Sequence, residues 1–173
     1  MTDFYDFRIG DRNVGFIEFE QSPQRVAFRT RFRMDGEDLD FNHEVELKDG
    51  QPTRFRAGNG DWFHTADYPE GAAPTAGVSI LLDRMATAGL DEFDYPAVNE
   101  SDGEFLGPTR LRREDDWILE ERDGRVWRRF QMEAGKLVRF DWGGPISTLR
   151  GSEQEAREGS PYALRIASEG PFI

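Results

Sequence analysis

The amino-acid sequence predicts a mainly β fold: a highly curved antiparallel sheet or β-barrel of about ten strands in a meander, with one central helix and a short C-terminal helix. Asp-Gly or Asn-Gly pairs recur at 35–36, 49–50, 59–60, 102–103 and 123–124, each between segments of alternating hydrophobicity. Aromatic residues make up 13% of the chain, a content that favours strands over helices. At 173 residues the chain is long enough for one sizeable core, so we expect a single β-rich domain over 1–173.

Hydrophobic periodicity assigns the individual elements. Alternation with period two predicts strands near 4–9, 14–20, 25–34, 39–48, 53–57, 92–98, 104–112, 116–122, 125–133 and 137–142. Apolar side chains at i, i+3, i+4 and i+7 from Val78 predict a helix over about 78–88, which Gly89 ends. Ser152 and Glu155 have the spacing of a capping box, which predicts the short C-terminal helix. The segment 58–76 is long for a plain connection, so we expect a lid or an extra hairpin there.

Charge and composition exclude several classes of partner. The net charge of -12 would repel nucleic-acid phosphates and anionic membrane surfaces, so we expect no nucleic-acid and no membrane partner. The chain has no cysteine, which excludes disulfides, thiolate nucleophiles and cysteine-bound metals. The segment MTDFYDFRIG has neither the basic flank nor the apolar run of a signal peptide, and a cytoplasmic location is the expectation.

Motifs for cofactors, metals and nucleophilic catalysis are missing from the sequence. Nucleophile-elbow, phosphate-loop and dinucleotide-binding glycine patterns do not occur, and we expect no cofactor. The best set of metal ligands is His64 with Asp61 and Asp67, which we interpret as ordinary loop residues. The sequence therefore predicts no metal site.

His43 interrupts an apolar face. In LDFNHEVELK, residues 39–48, it shares one side of a strand with leucine, phenylalanine and valine. A four-residue turn at 35–38 would place Thr30 opposite His43, and a three-residue turn at 49–51 would place Ala57 on its other side. One interpretation is a core histidine satisfied by the Thr30 hydroxyl and a buried water. The other is a polar anchor in an apolar cavity.

Arg128 is the second charged side chain predicted to point inward. A two-residue turn at 123–124 pairs Glu121 with Val126 and places Leu119 opposite Arg128, and a three-residue turn at 134–136 places Trp142 opposite Arg128. The same registers pair Phe130 with Phe140, Trp117 with Phe130 and Met132 with Val138. A buried guanidinium needs a partner. That partner is either Glu121, helped by a cation–π contact with Trp142, or the carboxylate or phosphate of a ligand.

Two segments resemble a loose set of bacterial β-rich domains of unknown function. FYDFRIGDRNVGFIEFE is similar to their first hairpin, with Tyr5, Gly10, Val14 and Gly15 at the matching positions. VELKDGQPTRFRAGNG is similar to a later hairpin, in which a Gly-x-Pro turn precedes an arginine-rich or aromatic strand. Some members resemble the half-barrel of lipoprotein-carrier proteins, whose curved antiparallel sheet wraps around helices and shelters acyl chains. The resemblance covers about the first sixty residues and implies a fold but no functional residue.

These observations lead to three functional hypotheses. The first is binding of a small hydrophobic or amphipathic molecule, including an anionic acyl-like one, in the concavity of the sheet. His43 and Arg128 would be the polar anchors, Thr30, Ala57 and Glu121 their neighbours, and Phe28, Phe32, Phe41, Phe130, Phe140 and Trp142 the walls. Arg128→Leu would then weaken binding of a carboxylate without unfolding the protein. The second is a small isomerase, cyclase or hydrolase with His43 or His64 as acid–base group. The third is a structural or interaction module without a ligand.

Overall fold

The computed structural model describes residues 2–161, and it is mainly β, as predicted. The strands are β1 (Thr2–Ile9), β2 (Arg12–Ser22), β3 (Arg25–Met34), β4 (Glu37–Lys48), β5 (Gln51–Ala57), β6 (Phe63–His64), β7 (Ala73–Pro74), β8 (Glu92–Val98), β9 (Phe105–Glu114), β10 (Trp117–Arg122), β11 (Arg125–Glu133), β12 (Lys136–Trp142) and β13 (Ile146–Gly151). The helices are α1 (Val78–Ala88) and α2 (Glu153–Arg157), with single 3-10 turns at Thr65–Asp67 and Thr75–Gly77. All ten predicted strands and both predicted helices are present.

The strands form one sheet in the order β6-β5-β4-β3-β2-β1-β13-β12-β11-β10-β9-β8-β7. Neighbouring strands are antiparallel except β7 and β8, which are parallel. The two meanders predicted from the sequence meet through β13, which pairs with both β1 and β12. The sheet is curved but not closed, because β6 and β7 remain its two edges.

The segment 58–76 supplies both edges of the sheet. It contains β6, β7 and the 3-10 turn between them. Where we expected a lid or an extra hairpin, the segment therefore forms two short edge strands. The hydroxyl of Tyr68, just after that turn, donates a 2.8 Å hydrogen bond to the carbonyl oxygen of Gly103, which follows β8. This bond links the chain beside one edge strand to the chain beside the other, and the two ends of the curved sheet therefore lie close together.

Helix α1 lies in the concavity of the sheet. Its side chains Leu81, Leu82 and Met85 are buried against residues of β8 to β11 such as Leu111 and Phe130. The helix ends at Gly89, whose φ of 62° is left-handed, as the sequence predicted. A second group of buried side chains, from β1 to β5, fills the other half of the concavity. The space between the two groups is where the candidate site lies.

Two further expectations from the sequence concern the start of helix α2 and the location of the protein. The capping box of α2 is present, because Ser152 accepts from the Glu155 backbone and the Glu155 carboxylate accepts from the Ser152 backbone. Between residues 2 and 161, no helix is long and apolar enough to cross a bilayer. The cytoplasmic location stays a prediction.

Candidate functional site

The β3–β4 hairpin sets the surroundings of His43. Its turn has two residues, Asp35 and Gly36, both with positive φ, rather than the predicted four. Each residue of β3 therefore lies opposite a β4 residue two positions earlier in the chain than predicted. Because side chains alternate with period two, a shift of two leaves the same residues facing inward. His43 consequently lies opposite Phe28 rather than Thr30, and Thr30 lies opposite Phe41.

On its other side His43 lies opposite Ala57, as predicted. The route to this register differs from the expected one. The turn at 49–50 has two residues rather than three, and an irregularity after Glu46 restores the offset. Ala57 nevertheless stays outside the cavity that His43 lines.

The partner of Arg128 differs from the one predicted. The register of β10 and β11 shifts by one residue between Glu120 and Glu121, so Glu120 lies opposite Arg128. A shift of one reverses the faces of β10: Glu120 points inward and is fully buried, whereas Glu121 pairs with Arg112 at 2.8 Å outside the cavity. The assignment of Glu121 to the site was therefore wrong.

Two of the other predicted pairs also differ, one in this hairpin and one in the next. Phe130 lies opposite Ile118 rather than Trp117. In the next hairpin Arg128 with Trp142 and Phe130 with Phe140 are confirmed, but Met132 lies opposite Leu137 rather than Val138, since the turn has two residues followed by a bulge. Arg128 therefore faces inward next to Trp142, as expected.

One cavity of about 80 Å³ brings together residues from both halves of the sheet and from α1. Its walls are Tyr5, Ile17, Phe19, Phe28, Thr30, His43, Ala76, Val78, Ser79, Glu100, Arg128, Phe130, Leu137, Phe140 and Trp142. Of the predicted site residues, His43, Arg128, Thr30, Trp142, Phe130 and Phe140 are among them. Phe41 is not: its ring stacks on Phe32 with centroids 5.8 Å apart and is 47% exposed.

Arg128 is held by a buried cluster at one end of the cavity. Its Nε donates to Glu120, and its Nη1 donates to the Thr75 carbonyl oxygen at 3.0 Å. The Tyr95 hydroxyl donates to the other oxygen of Glu120 at 2.8 Å. The guanidinium carbon lies 5.3 Å from the centre of the Phe130 ring, an aromatic contact that the sequence assigned to Trp142. Arg128 thus has an internal acid, a carbonyl and a ring as partners.

Arg128 and Glu120 each stabilise the charged form of the other. Burial alone would raise the pKa of the Glu120 carboxyl, but Arg128 outweighs it through its charge and hydrogen bond, and the pKa is lowered. Burial alone would likewise lower the pKa of Arg128, and the Glu120 carboxylate raises it instead. Burial and the Glu120 charge together raise the pKa of Tyr95 well above its ordinary value. The pair is therefore ionised and Tyr95 is neutral.

Glu100 faces His43 across the cavity. The distance from His43 Nε2 to Glu100 Oε1 is 4.0 Å, and the two side chains are 13% and 23% exposed. Glu100 lies in a compact loop in which Gly103 N donates to Asn99 O at 3.0 Å and Ser101 N donates to Asn99 Oδ1 at 2.9 Å. Sequence reasoning missed this residue, because nothing in a polar loop indicates which distant strand it will meet.

Two polar atoms in the cavity walls have no hydrogen-bond partner within residues 2–161. They are Nη2 of Arg128 and Oγ of Ser79, both shielded from solvent. Ser79 was also missed from the sequence, although a serine in the buried face of a predicted helix is a signal that can be read. An unpaired buried polar atom costs on the order of 1–3 kcal/mol, and such groups in native structures call for an explanation.

The pKa of His43 gives a direct test of its environment. Burial lowers this pKa from 6.5, and the Glu100 charge partly opposes the shift. We expect Glu100→Gln to lower it further, as measured by NMR titration of the imidazole in a His64→Gln background, with Glu104→Gln on the same loop as control. An unchanged pKa in Glu100→Gln would contradict the contact.

The sign of the stability effect follows from the same shift. A histidine whose folded pKa lies below 6.5 contributes stability that is complete above pH 6.5 and is lost as the pH falls toward the folded pKa. The free energy of unfolding should therefore decrease across this window. His43→Gln should remove that component of the pH dependence.

The remaining histidine does not join the site. His64 is exposed on β6, opposite Arg54, and outside the cavity walls. Among the residues that the structure describes, no three His, Asp or Glu side chains are grouped to hold a metal ion. His43 is the imidazole that the cavity contains.

Comparison with known proteins gives one structural neighbour. No protein-family model matches the chain, and no curated protein sequence matches it. A crystal structure of a β-barrel-like protein of a domain of unknown function, DUF1849, from Brucella abortus superposes with a TM-score of 0.47 and 14% identity, covering 86% of this chain and 93% of that one. That neighbour is a bacterial protein whose function is unknown.

Proposed function

We propose that this protein binds a small hydrophobic or amphipathic molecule in the cavity between α1 and the curved sheet. The observation that carries the proposal is the composition of the cavity walls. An imidazole, a guanidinium, a carboxylate and two aliphatic hydroxyls, those of a serine and a threonine, occupy a surface otherwise built from aromatic and aliphatic side chains. Apolar walls with a few convergent polar groups are typical of small-molecule sites. Two of those groups, on Arg128 and Ser79, retain unused hydrogen-bonding capacity.

The size of the cavity limits the ligand. At about 80 Å³ it is well below typical drug-sized pockets, which have volumes of about 300–1,000 Å³. A second cleft of about 290 Å³ shares Tyr5, Phe19, Ser79 and Leu137 with it. A longer chain would therefore extend past Ser79 into this cleft. An acyl-like chain is also within the ligand class expected from the sequence.

Binding can be tested with two homologous series, unbranched alkanoates and alkanamides of four to eight carbons. We expect saturable chemical-shift changes at the Trp142 indole and the His43 imidazole, because both side chains line the cavity. Native mass spectrometry of freshly purified protein, followed by solvent extraction, would identify any retained compound. If no member of either series shifts these signals and no compound is retained, the proposal is wrong.

Ser79→Ala separates ligand binding from stability. Removing a buried hydroxyl without a partner should leave the free energy of unfolding unchanged or raise it by about 1 kcal/mol, while the affinity for the bound probe falls. Thr87→Ala is the matched control, since Thr87 lies on the exposed end of the same helix. Urea denaturation and calorimetric titration measure the two quantities. A loss of stability in Ser79→Ala without loss of affinity would show that Ser79 is structural only.

A second candidate is acid–base catalysis in the same cavity. It is favoured by one observation: His43 lies 4.0 Å from the Glu100 carboxylate and lines the cavity together with Arg128. An imidazole in contact with a bound molecule can transfer protons near neutral pH. Turnover of a bound probe that is lost in His43→Gln would favour this function over simple binding.

A further inference from the structure

The charges around Arg128 bear on the chemistry of the ligand's polar end. We infer that this polar end is an uncharged hydrogen-bond acceptor, such as the carbonyl of an amide, ester or ketone, rather than a carboxylate or phosphate. The inference rests on the proposed ligand-binding function and makes it more specific. It also departs from the sequence-based expectation that Arg128 would bind an anion.

The first argument is that Arg128 has hydrogen-bonding capacity to spare but no spare charge. Its Nε and Nη1 donate to Glu120 and to the Thr75 carbonyl, which leaves Nη2 without a partner in the described chain. Its positive charge is met by the fully buried Glu120 carboxylate. The Ser79 hydroxyl, a second wall group without a partner, adds another donor without charge. Donors without net positive charge suit a neutral acceptor.

The second argument is that the cavity offers a carboxylate no net positive charge. Arg128 and Arg122, whose charge acts on Glu120, supply one positive charge each, and Glu120 and Glu100 supply one negative charge each, so the formal charges sum to zero. The imidazole of His43 adds no charge while it is neutral. A ligand carboxylate would therefore lose its hydration and lie near the Glu100 carboxylate without a net positive charge to compensate it, in surroundings that screen this repulsion poorly. An amide or ketone would form the same hydrogen bonds without this repulsion.

A matched pair of probes tests the inference in the intact protein. Hexanoate and hexanamide have the same chain and nearly the same shape, and differ in charge. At pH 8 we expect hexanamide to bind the wild-type protein about tenfold more tightly, by calorimetric titration. Equal or tighter binding of hexanoate would overturn the inference while leaving the proposed function intact. Failure of both probes, and of every other chain length, would instead overturn the proposed function.

Glu120→Gln provides the second readout. Glutamine keeps an oxygen that can accept from the Tyr95 hydroxyl but removes the counter-charge of Arg128. We therefore expect the affinity for hexanoate to rise relative to that for hexanamide. Glu121→Gln is the control, because Glu121 is the adjacent residue, pairs with Arg112 and lies outside the cavity. An unchanged preference in Glu120→Gln would contradict the inference. If Glu120→Gln does not fold, Glu100→Gln provides the same test. It must reduce the preference for hexanamide over hexanoate, and an undiminished preference in that variant would overturn the inference.

Discussion

Arg128→Leu is expected to lower the free energy of unfolding by about 3–5 kcal/mol, the range for breaking a buried ion pair. The reason is Glu120, which is fully buried and would lose its counter-charge. The Tyr95 hydroxyl would remain as a hydrogen-bond donor to the carboxylate, but one neutral donor does not replace a guanidinium. Equilibrium urea denaturation measures the loss.

A second substitution shows whether the unpaired carboxylate is the cause. In Arg128→Leu combined with Glu120→Gln no charge is left buried, and the amide oxygen can still accept from Tyr95, so most of the lost stability should return. Arg112→Leu is the control, because its partner Glu121 lies on the other face of β10, where solvent screens the pair and the change should be small. If Arg128→Leu is as stable as the wild type, the buried pair has no structural role.

This expectation replaces the one drawn from sequence. With the carboxylate or phosphate of a ligand as its partner, Arg128 was expected to be replaceable without unfolding the protein. With Glu120 as partner the same substitution removes a structural contact as well as a wall of the cavity. Arg128→Leu therefore cannot separate binding from stability, whereas Ser79→Ala can.

The parts of the fold that were predictable are those encoded by local pattern. Alternation located ten strands, and Asp-Gly pairs lie in four of the nine gaps between them. The error of two residues in the β3–β4 register did not change which side chains were predicted to point inward, because His43 and Thr30 stay on the same side of the sheet under any even shift. Strand β13, ISTLRG, was missed because its alternation is weak and its pairing with β1 joins opposite ends of the chain.

The partner of Arg128 was not predictable in the same way. One irregularity in β10–β11 changes the offset by one residue, which exchanges Glu120 for Glu121 on the inner face. Adjacent glutamates give no sequence signal that favours one of them. The bulge depends on how β10 and β11 fit the curvature of the whole sheet, which is a property of the packed structure.

Gly15→Ala is the other substitution with a large expected effect, because β2 and β3 approach closely at this position. A Cβ built on Gly15 would lie 2.0 Å from the carbonyl oxygen of Arg31 and 2.5 Å from the Cβ of Phe32. In ordinary antiparallel pairs the facing Cβ atoms are about 4.5–5.5 Å apart. Neither clashing atom is the end of a flexible side chain, so relief requires the strands themselves to separate.

Separation of these strands would also disturb the rings on the inner face. Gly15 lies between Phe7 and Phe32 in the sheet, and their ring centroids are 4.8 Å apart because no side chain stands between them. Phe7 in turn contacts Trp142, a wall of the cavity, with centroids 5.8 Å apart. A methyl group at Gly15 would therefore displace aromatic packing as far as the candidate site.

We expect Gly15→Ala to lower the free energy of unfolding by at least about 3 kcal/mol, the upper end of the range for overpacked sites. Gly143→Ala is the matched control, since its added Cβ would meet its nearest neighbour, the Trp127 carbonyl oxygen, at an ordinary 3.6 Å. Thermal or urea unfolding of both variants gives the comparison. If the two variants are equally stable, β2 and β3 can separate at this position without lowering the free energy of unfolding. In that case the close approach at Gly15 could not be what brings Phe7 against Phe32 and, through Phe7, supports the Trp142 wall.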